Sequence, residues 1–363
     1  MVADRVTMRE RFRAVTHFQP TDRPFFYPQW VFPSTVERWQ DEGMPGDVTF
    51  SRYFGFDRMA QVPINRGLLP PFREKVVEED RETKTVVDES GARKRIWKEG
   101  DCPGMPHFEE FGLRSRDDWP KFKERLNPES PARYPDYWDD LVRCYRGRDY
   151  PLGIHGGSYY GWIRNWVGME NLALLYYDDP DLVHEISDYI GDMVIRTAER
   201  ALDQIEFDFA WFWEDMAMKT ASLISPKLFR EFMLPNYKRV TKLFREAGID
   251  VMFVDCDGNI DELIPLWLEG GVNGVMPIEA AADCDVLKYR ETYGHDLLLM
   301  GGIDKRALRF GKEEVEEEVI PKVRRLLADG GWLPFIDHAV PHDVPLENFQ
   351  HYLELVRGIA AEV

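Results

Sequence analysis

Acidic side chains recur at one kind of place in this sequence, directly after short and continuously apolar runs. Glu214 and Asp215 follow Phe207–Trp213; Asp255 and Asp257 follow Val251–Val254; Glu279 follows Gly274–Ile278; Asp304 follows Leu297–Met300 and a glycine pair; Asp337 and His338 follow Trp332–Ile336. A lone acid after a strand commonly caps the next helix. Acids or a histidine after five strands that share one rim instead surround a common mouth, as at the C-terminal face of a parallel α/β barrel. Carboxylates crowded there repel unless a cation or shared protons neutralise them, so a metal or a cationic substrate is expected. His155, at a strand end beside Gly156-Gly157, joins Trp213, Asp255, Glu279 and Asp304 as a candidate substrate contact, with a structural hydrogen-bonded role as the alternative for His155. Cys256, between the two aspartates, should point away from them and be inert.

The elements that must position these residues follow from periodicity. The runs at Val251–Val254 and its counterparts are too short for helices and too uniformly apolar for strands with one wet face, so they read as buried parallel strands. Strands near Phe25, Ala60, Leu152, Phe209, Val251, Val275, Leu298 and Leu333 make eight, mostly followed by helical stretches such as Pro180–Gln204, Pro226–Gly248, Lys312–Asp329 and Leu346–Ala360. With no GxGxxG turn, the pattern predicts α/β architecture as a single (β/α)8 TIM barrel over 1–363 rather than a doubly wound dinucleotide fold. Lys75–Trp97 is polar, carries a Ser90-Gly91 turn, and predicts an inserted β-hairpin too poor in apolar residues to form its own core.

Composition bounds the partners. Of 363 residues 46 are basic and 65 acidic, a net charge of −19, which excludes a nucleic-acid footprint and attraction to an anionic membrane. Cys102, Cys144, Cys256 and Cys284 form no CxxC pair, which excludes a zinc finger or disulfide scaffold. The start, Met1–Arg5, lacks an apolar signal core, and no segment approaches membrane-spanning length, so a cytoplasmic protein is expected, with a homodimer as an open possibility.

Three blocks then carry a family resemblance: Ser225–Phe232 with Leu234-Pro235, Gly301–Lys305, and Asp337–Pro341 with Val344–Asn348. In this order and spacing they resemble the uroporphyrinogen decarboxylase superfamily, which implies a (β/α)8 barrel and either of two chemistries: decarboxylation of a tetrapyrrole, or methyl transfer involving a corrinoid protein. The decarboxylase's early arginine clamp is replaced here by Pro28–Pro33, with no arginine before Arg38, whereas His338 matches a decarboxylase histidine. The methyltransferases' zinc-binding His-x-Cys-Gly segment becomes Asp255-Cys256-Asp257-Gly258, and a late cysteine becomes His338. The resemblance therefore implies Asp257 and His338, with Glu214, as ligands of a divalent metal such as zinc, and a corrinoid-bearing partner protein. An ordinary hydrogen bond between Asp257 and His338 is the alternative. The decarboxylase branch would instead have His338 and Asp215 handle protons. A third possibility is a barrel that only binds a ligand.

Overall fold

In the computed structural model the described residues are 6–98 and 106–362. Cys102 and the expected signal-free start at residues 1–5 lie outside them. Among the described residues eleven strands fall in two sheets. In chain order they are β1 (Ala60–Gln61), β2 (Lys75–Glu79), β3 (Thr83–Val87), β4 (Arg93–Trp97), β5 (His107–Glu110), β6 (Leu152–Gly157), β7 (Phe209–Trp213), β8 (Met252–Asp255), β9 (Gly274–Met276), β10 (Leu298–Met300) and β11 (Trp332–Leu333). The main sheet is parallel throughout and runs β1-β6-β7-β8-β9-β10-β11, seven strands in sequence order. It is a curled parallel sheet with helices between successive strands, among them Pro180–Gln204, Leu234–Glu246 and Lys312–Asp329.

Alternation along the strands explains why they read as unbroken apolar runs. Phe209, Trp211, Phe253, Met276, Leu298, Met300 and Leu333 pack together in one cluster, while their neighbours Ala210, Phe212, Met252, Val254, Val275, Leu299 and Trp332 belong to a second, larger cluster that includes the helices. Both faces of the sheet are therefore buried, and a two-residue period sorts side chains between an inner and an outer core. The helix Met8–Thr16 contributes Phe12 and Val15 to the inner cluster, where Phe12 meets Phe25 and Phe209 at 5.3 and 5.6 Å.

Two expectations need correction. Phe25–Tyr27 forms no ladder strand, so the parallel sheet has seven strands and not eight among the described residues. Pro24 and Pro28 bracket the segment and remove two backbone donors. Its contacts are made by other means: Phe26 O accepts from Asp57 N at 2.9 Å, and the Gln29 amide stands in for a peptide, donating to Pro334 O at 3.1 Å and accepting from Ile336 N at 2.9 Å. The expected hairpin is a four-stranded antiparallel sheet, β2-β3-β4-β5. Its first turn was hidden in an acidic run, where the Asp80 carboxylate accepts from Glu82 N and Thr83 N at 2.8 and 2.6 Å.

The helix expected over Pro226–Gly248 is likewise divided. A wide, five-residue turn of π-helix at Phe229–Met233 separates Pro226–Leu228 from Leu234–Glu246, with Pro235 in the first turn of the latter, where its missing N–H costs nothing. No helix of the described residues is long and apolar enough to cross a membrane.

Candidate functional site

The alternation that sorts the core also sorts the acids. On β7, Phe209 and Trp211 face inward and Ala210 and Phe212 outward, so the parity carries Asp215 to the inner side and Glu214 to the outer. On β8, Phe253 faces inward, and Asp255 and Asp257 continue that face, whereas Cys256 belongs to the outer core. One oxygen each of Asp215, Asp255 and Asp257 lies within 4.8 Å of the others. Gly258 makes the turn that follows them: its φ is +88°, and an added Cβ would lie 2.7 Å from the Ala217 backbone. The Glu279 carboxylate accepts from Gly258 N at 2.8 Å and so pins that turn from the next strand. Asp215 itself has φ 45°, an uncommon conformation for a residue with a side chain, and its carbonyl accepts from Arg164 Nη1 at 2.8 Å.

Crowding shows in the protonation of these acids. Burial, then the Asp257 and Asp215 charges, push the Asp255 carboxyl up to about 8, so it holds a proton at neutral pH. The Asp215 carboxyl is raised in the same way, first by burial and then by Asp257, with Arg164 opposing. Asp257 Oδ2 lies 3.3 Å from His338 Nε2, while its Oδ1 is sheltered from solvent and has no hydrogen-bond partner among the described residues. The bond to Asp257 raises the imidazole's affinity for its proton, and burial and Lys305 work against it. Trp30 sets its edge against the His338 ring at 5.9 Å, which places the Pro28–Pro33 segment at this site.

The other expected residues take different positions. Glu214 is completely buried and accepts from Ser158 Oγ, from the backbone N–H groups of Tyr159, Tyr160 and Gly161, and from Tyr237 OH. Burial raises its carboxyl, and these bonds pull the other way. With its lone pairs spent on the start of the helix Gly161–Val167, Glu214 is a fastener outside the aspartate cluster. Glu214→Ala is expected to cost about 3–5 kcal/mol of stability, read as a lower urea midpoint, because five donors lose their acceptor. Asp337 is also completely buried, accepting from Lys305 N at 2.9 Å with Lys305 Nζ at 3.2 Å. Burial alone would raise the Asp304 carboxyl, but Arg306 grips it through Nε and Nη2 and holds it below the usual range. Arg164 lies over the Trp213 ring at 5.6 Å. His155 stacks on Trp162 and lines a cavity whose walls include none of the three aspartates. Cys256 is buried, accepts from Met216 N at 3.3 Å, and has its thiol pushed well up by burial, as expected of an inert side chain.

Arg164 and Trp30 were missed in the sequence, and Asp255 was placed only as a substrate contact. The signal for Asp255 was present: two residues apart on a strand end, Asp255 and Asp257 share a face. For Trp30 no local signal existed, since its place depends on a non-ladder segment.

The chain is similar to known proteins. The family model for uroporphyrinogen decarboxylase (URO-D) matches residues 164–359. The chain belongs to this family. A chloroplastic uroporphyrinogen decarboxylase 2 of Oryza sativa subsp. japonica is 20% identical over 213 residues, 57% of this chain and 49% of that protein. A methylated-thiol–coenzyme M methyltransferase of Methanosarcina mazei is 26% identical over 193 residues, 52% of this chain and 47% of that one. The chain thus spans about half the length of the curated relatives it matches. Among solved structures, a methyltransferase from Methanosarcina mazei superposes with a TM-score of 0.60 at 14% identity over 99% of both chains, which establishes a shared fold.

Proposed function

We propose that this URO-D family member is a methyltransferase that demethylates a small O- or N-methyl compound in favour of a corrinoid carried by a partner protein. The observation that carries this reading is the cluster of Asp215, Asp255 and Asp257 with its orphaned Asp257 Oδ1. Three carboxyls gathered this closely disfavour a polyanionic tetrapyrrole and favour a cation. The donor set fits a divalent ion: Asp215, Asp255 and Asp257 would hold it, with His338 at the edge through Asp257, and Glu214 takes no part. An oxygen-rich set suits zinc or a harder ion. Such an ion would polarise the oxygen or nitrogen that bears the methyl group.

The chain's own residues supply the proton. When the methyl group leaves as a cation equivalent, the heteroatom keeps the bonding pair and must gain a proton. His338, whose affinity for protons is raised by Asp257, is placed to deliver it from Nε2. Trp30 covers one side of that imidazole and limits water there. The same proposal includes 1–363 as one closed barrel domain, with the 25–32 segment completing the ring, and leaves the homodimer as its expected assembly.

One observation favours a second reading. A carboxyl that stays protonated to about pH 8, as Asp255 does, suits protonation of carbon after carbon dioxide leaves, the decarboxylase chemistry. Elemental analysis of purified protein, followed by incubation with reduced cobalamin and methoxylated aromatic compounds, separates the two. About one divalent ion per chain and appearance of methylcobalamin are expected. A metal-free protein that releases carbon dioxide from an acid substrate would replace the first reading with the second.

A further inference from the structure

Asp215 is held in a conformation that its own side chain disfavours. Its φ of 45° lies in the left-handed region, where Cβ crowds the backbone and glycine is the usual occupant. Both of its neighbours are pinned. Glu214 N donates to Asp255 O at 2.9 Å on the adjoining strand, and Met216 N donates to the Cys256 thiol at 3.3 Å. The residue between them makes the turn that brings its carboxylate within reach of Asp255 and Asp257. A strained peptide of this kind persists where contacts around it outweigh the strain.

Arg164 supplies such contacts. Its Nη1 donates to Asp215 O at 2.8 Å, its Nη2 lies 3.8 Å from Asp215 Oδ2, and its guanidinium carbon lies 5.6 Å from the centre of the Trp213 ring. One rigid fork of donors therefore takes the carbonyl of Asp215, faces its carboxylate, and rests on the ring two residues earlier. Its other bond, from Nη2 to Asn165 Oδ1 at 3.2 Å, goes to its own neighbour.

The helix that carries Arg164 is set by the same strand end. The N–H groups of Tyr159, Tyr160 and Gly161 donate to the Glu214 carboxylate as the helix Gly161–Val167 begins. At Gly161 an added Cβ would lie 2.6 Å from Glu214 O and 2.7 Å from the Trp213 ring, so glycine admits the helix to the end of β7. About one turn on, Arg164 returns to the residue after Glu214. Two adjacent residues thus meet one helix twice: Glu214 fixes its start, and its first turn fixes Asp215.

We propose that Arg164 is a positioning residue, which holds Asp215 in its left-handed conformation so that the Asp215 carboxylate faces Asp255 and Asp257. This rests on the reading of the three acids as a cation site, and it predicts a sign that charge alone would reverse. A guanidinium acting only as a nearby positive charge repels a bound cation, so its removal would tighten binding. Removal of a group that keeps a ligand in place loosens binding, commonly by tenfold or more.

Calorimetric titration of the chelator-treated full chain with zinc reads that sign. Arg164→Met is expected to bind zinc about tenfold or more weakly than the unaltered chain, with circular dichroism unchanged, since the Arg164 side chain is 23% exposed. In an Asp215→Ala background the same change should no longer weaken binding, because the group it positions is gone. Equal or tighter zinc binding in Arg164→Met, or the same weakening with and without the Asp215 carboxylate, would overturn the proposal. A crystal structure of Arg164→Met supplies a readout that needs no ion. Asp215 is expected to leave its positive φ and turn its carboxylate away from Asp255, and retention of the present conformation would overturn the assignment. That structure decides the role of Arg164 even if the unaltered chain binds no zinc, a result that would end the metal reading by itself.

Discussion

Asp257→Ala is expected to lower methyl transfer by about a thousandfold and to strip the protein of its divalent ion, with circular dichroism unchanged. The fold should survive because the Asp257 side chain is 39% exposed and its one side-chain partner among the described residues is His338, so no core contact is lost. The ion should not survive. Asp257 is the member of the cluster that raises both neighbours, and it carries the unpartnered oxygen. His338→Ala should separate the roles. His338 reaches the aspartates through Asp257, so turnover should fall by about a hundredfold or more while much of the ion is retained. The alkaline limb of the pH profile, set in the unaltered enzyme by loss of the His338 proton above the ordinary imidazole range, should vanish with it. Metal content unchanged in Asp257→Ala would end the assignment of a metal to these acids.

The sequence made the second half of the fold legible and the first half only in outline, for a physical reason. From β7 onward each strand is an apolar run with both faces buried, each is followed by a helix, and the two-residue period is enough to place them. Before that, β1 is two residues long, and the Phe25–Tyr27 stretch bonds to the Gln29 amide through Tyr27 O and to Asp57 through Phe26, which no periodic pattern encodes. The site shows the same division. Asp255, Asp257 and His338 were legible because they sit at strand ends or just beyond one. Glu214 and Asp215 are adjacent in sequence, and the strand's parity separates a buried fastener from a member of the acidic cluster. That parity was readable from Phe209 to Trp213 had it been extended past the strand end.

Asp255→Asn is expected to stabilise the chelator-treated protein at alkaline pH and to flatten its dependence on pH. The Asp255 carboxyl moves from an ordinary 3.8 up to about 8 on folding, so between those values the native chain holds a proton that the unfolded chain has released. Unfolding then releases a proton, and stability falls as pH rises through that window, by up to about 1.4 kcal/mol per pH unit for one group. Below it both states are protonated, and above it both are ionised with the native state carrying the full repulsion of Asp215 and Asp257. Asparagine keeps the shape and removes the charge, so the variant should match the parent under acid conditions and exceed it above about pH 8. Some slope should remain, because the Asp215 carboxyl is raised in the same direction. A divalent ion added to the unaltered chain should oppose the effect, raising the unfolding midpoint more at alkaline than at acid pH, since protons compete with it for the same oxygens. Urea midpoints measured across this range, with chelator and with zinc, supply the check. Identical pH profiles for the two proteins would mean that Asp255 is ionised throughout, and the acidic cluster would then need a fixed counter-charge in place of a proton or an exchangeable ion.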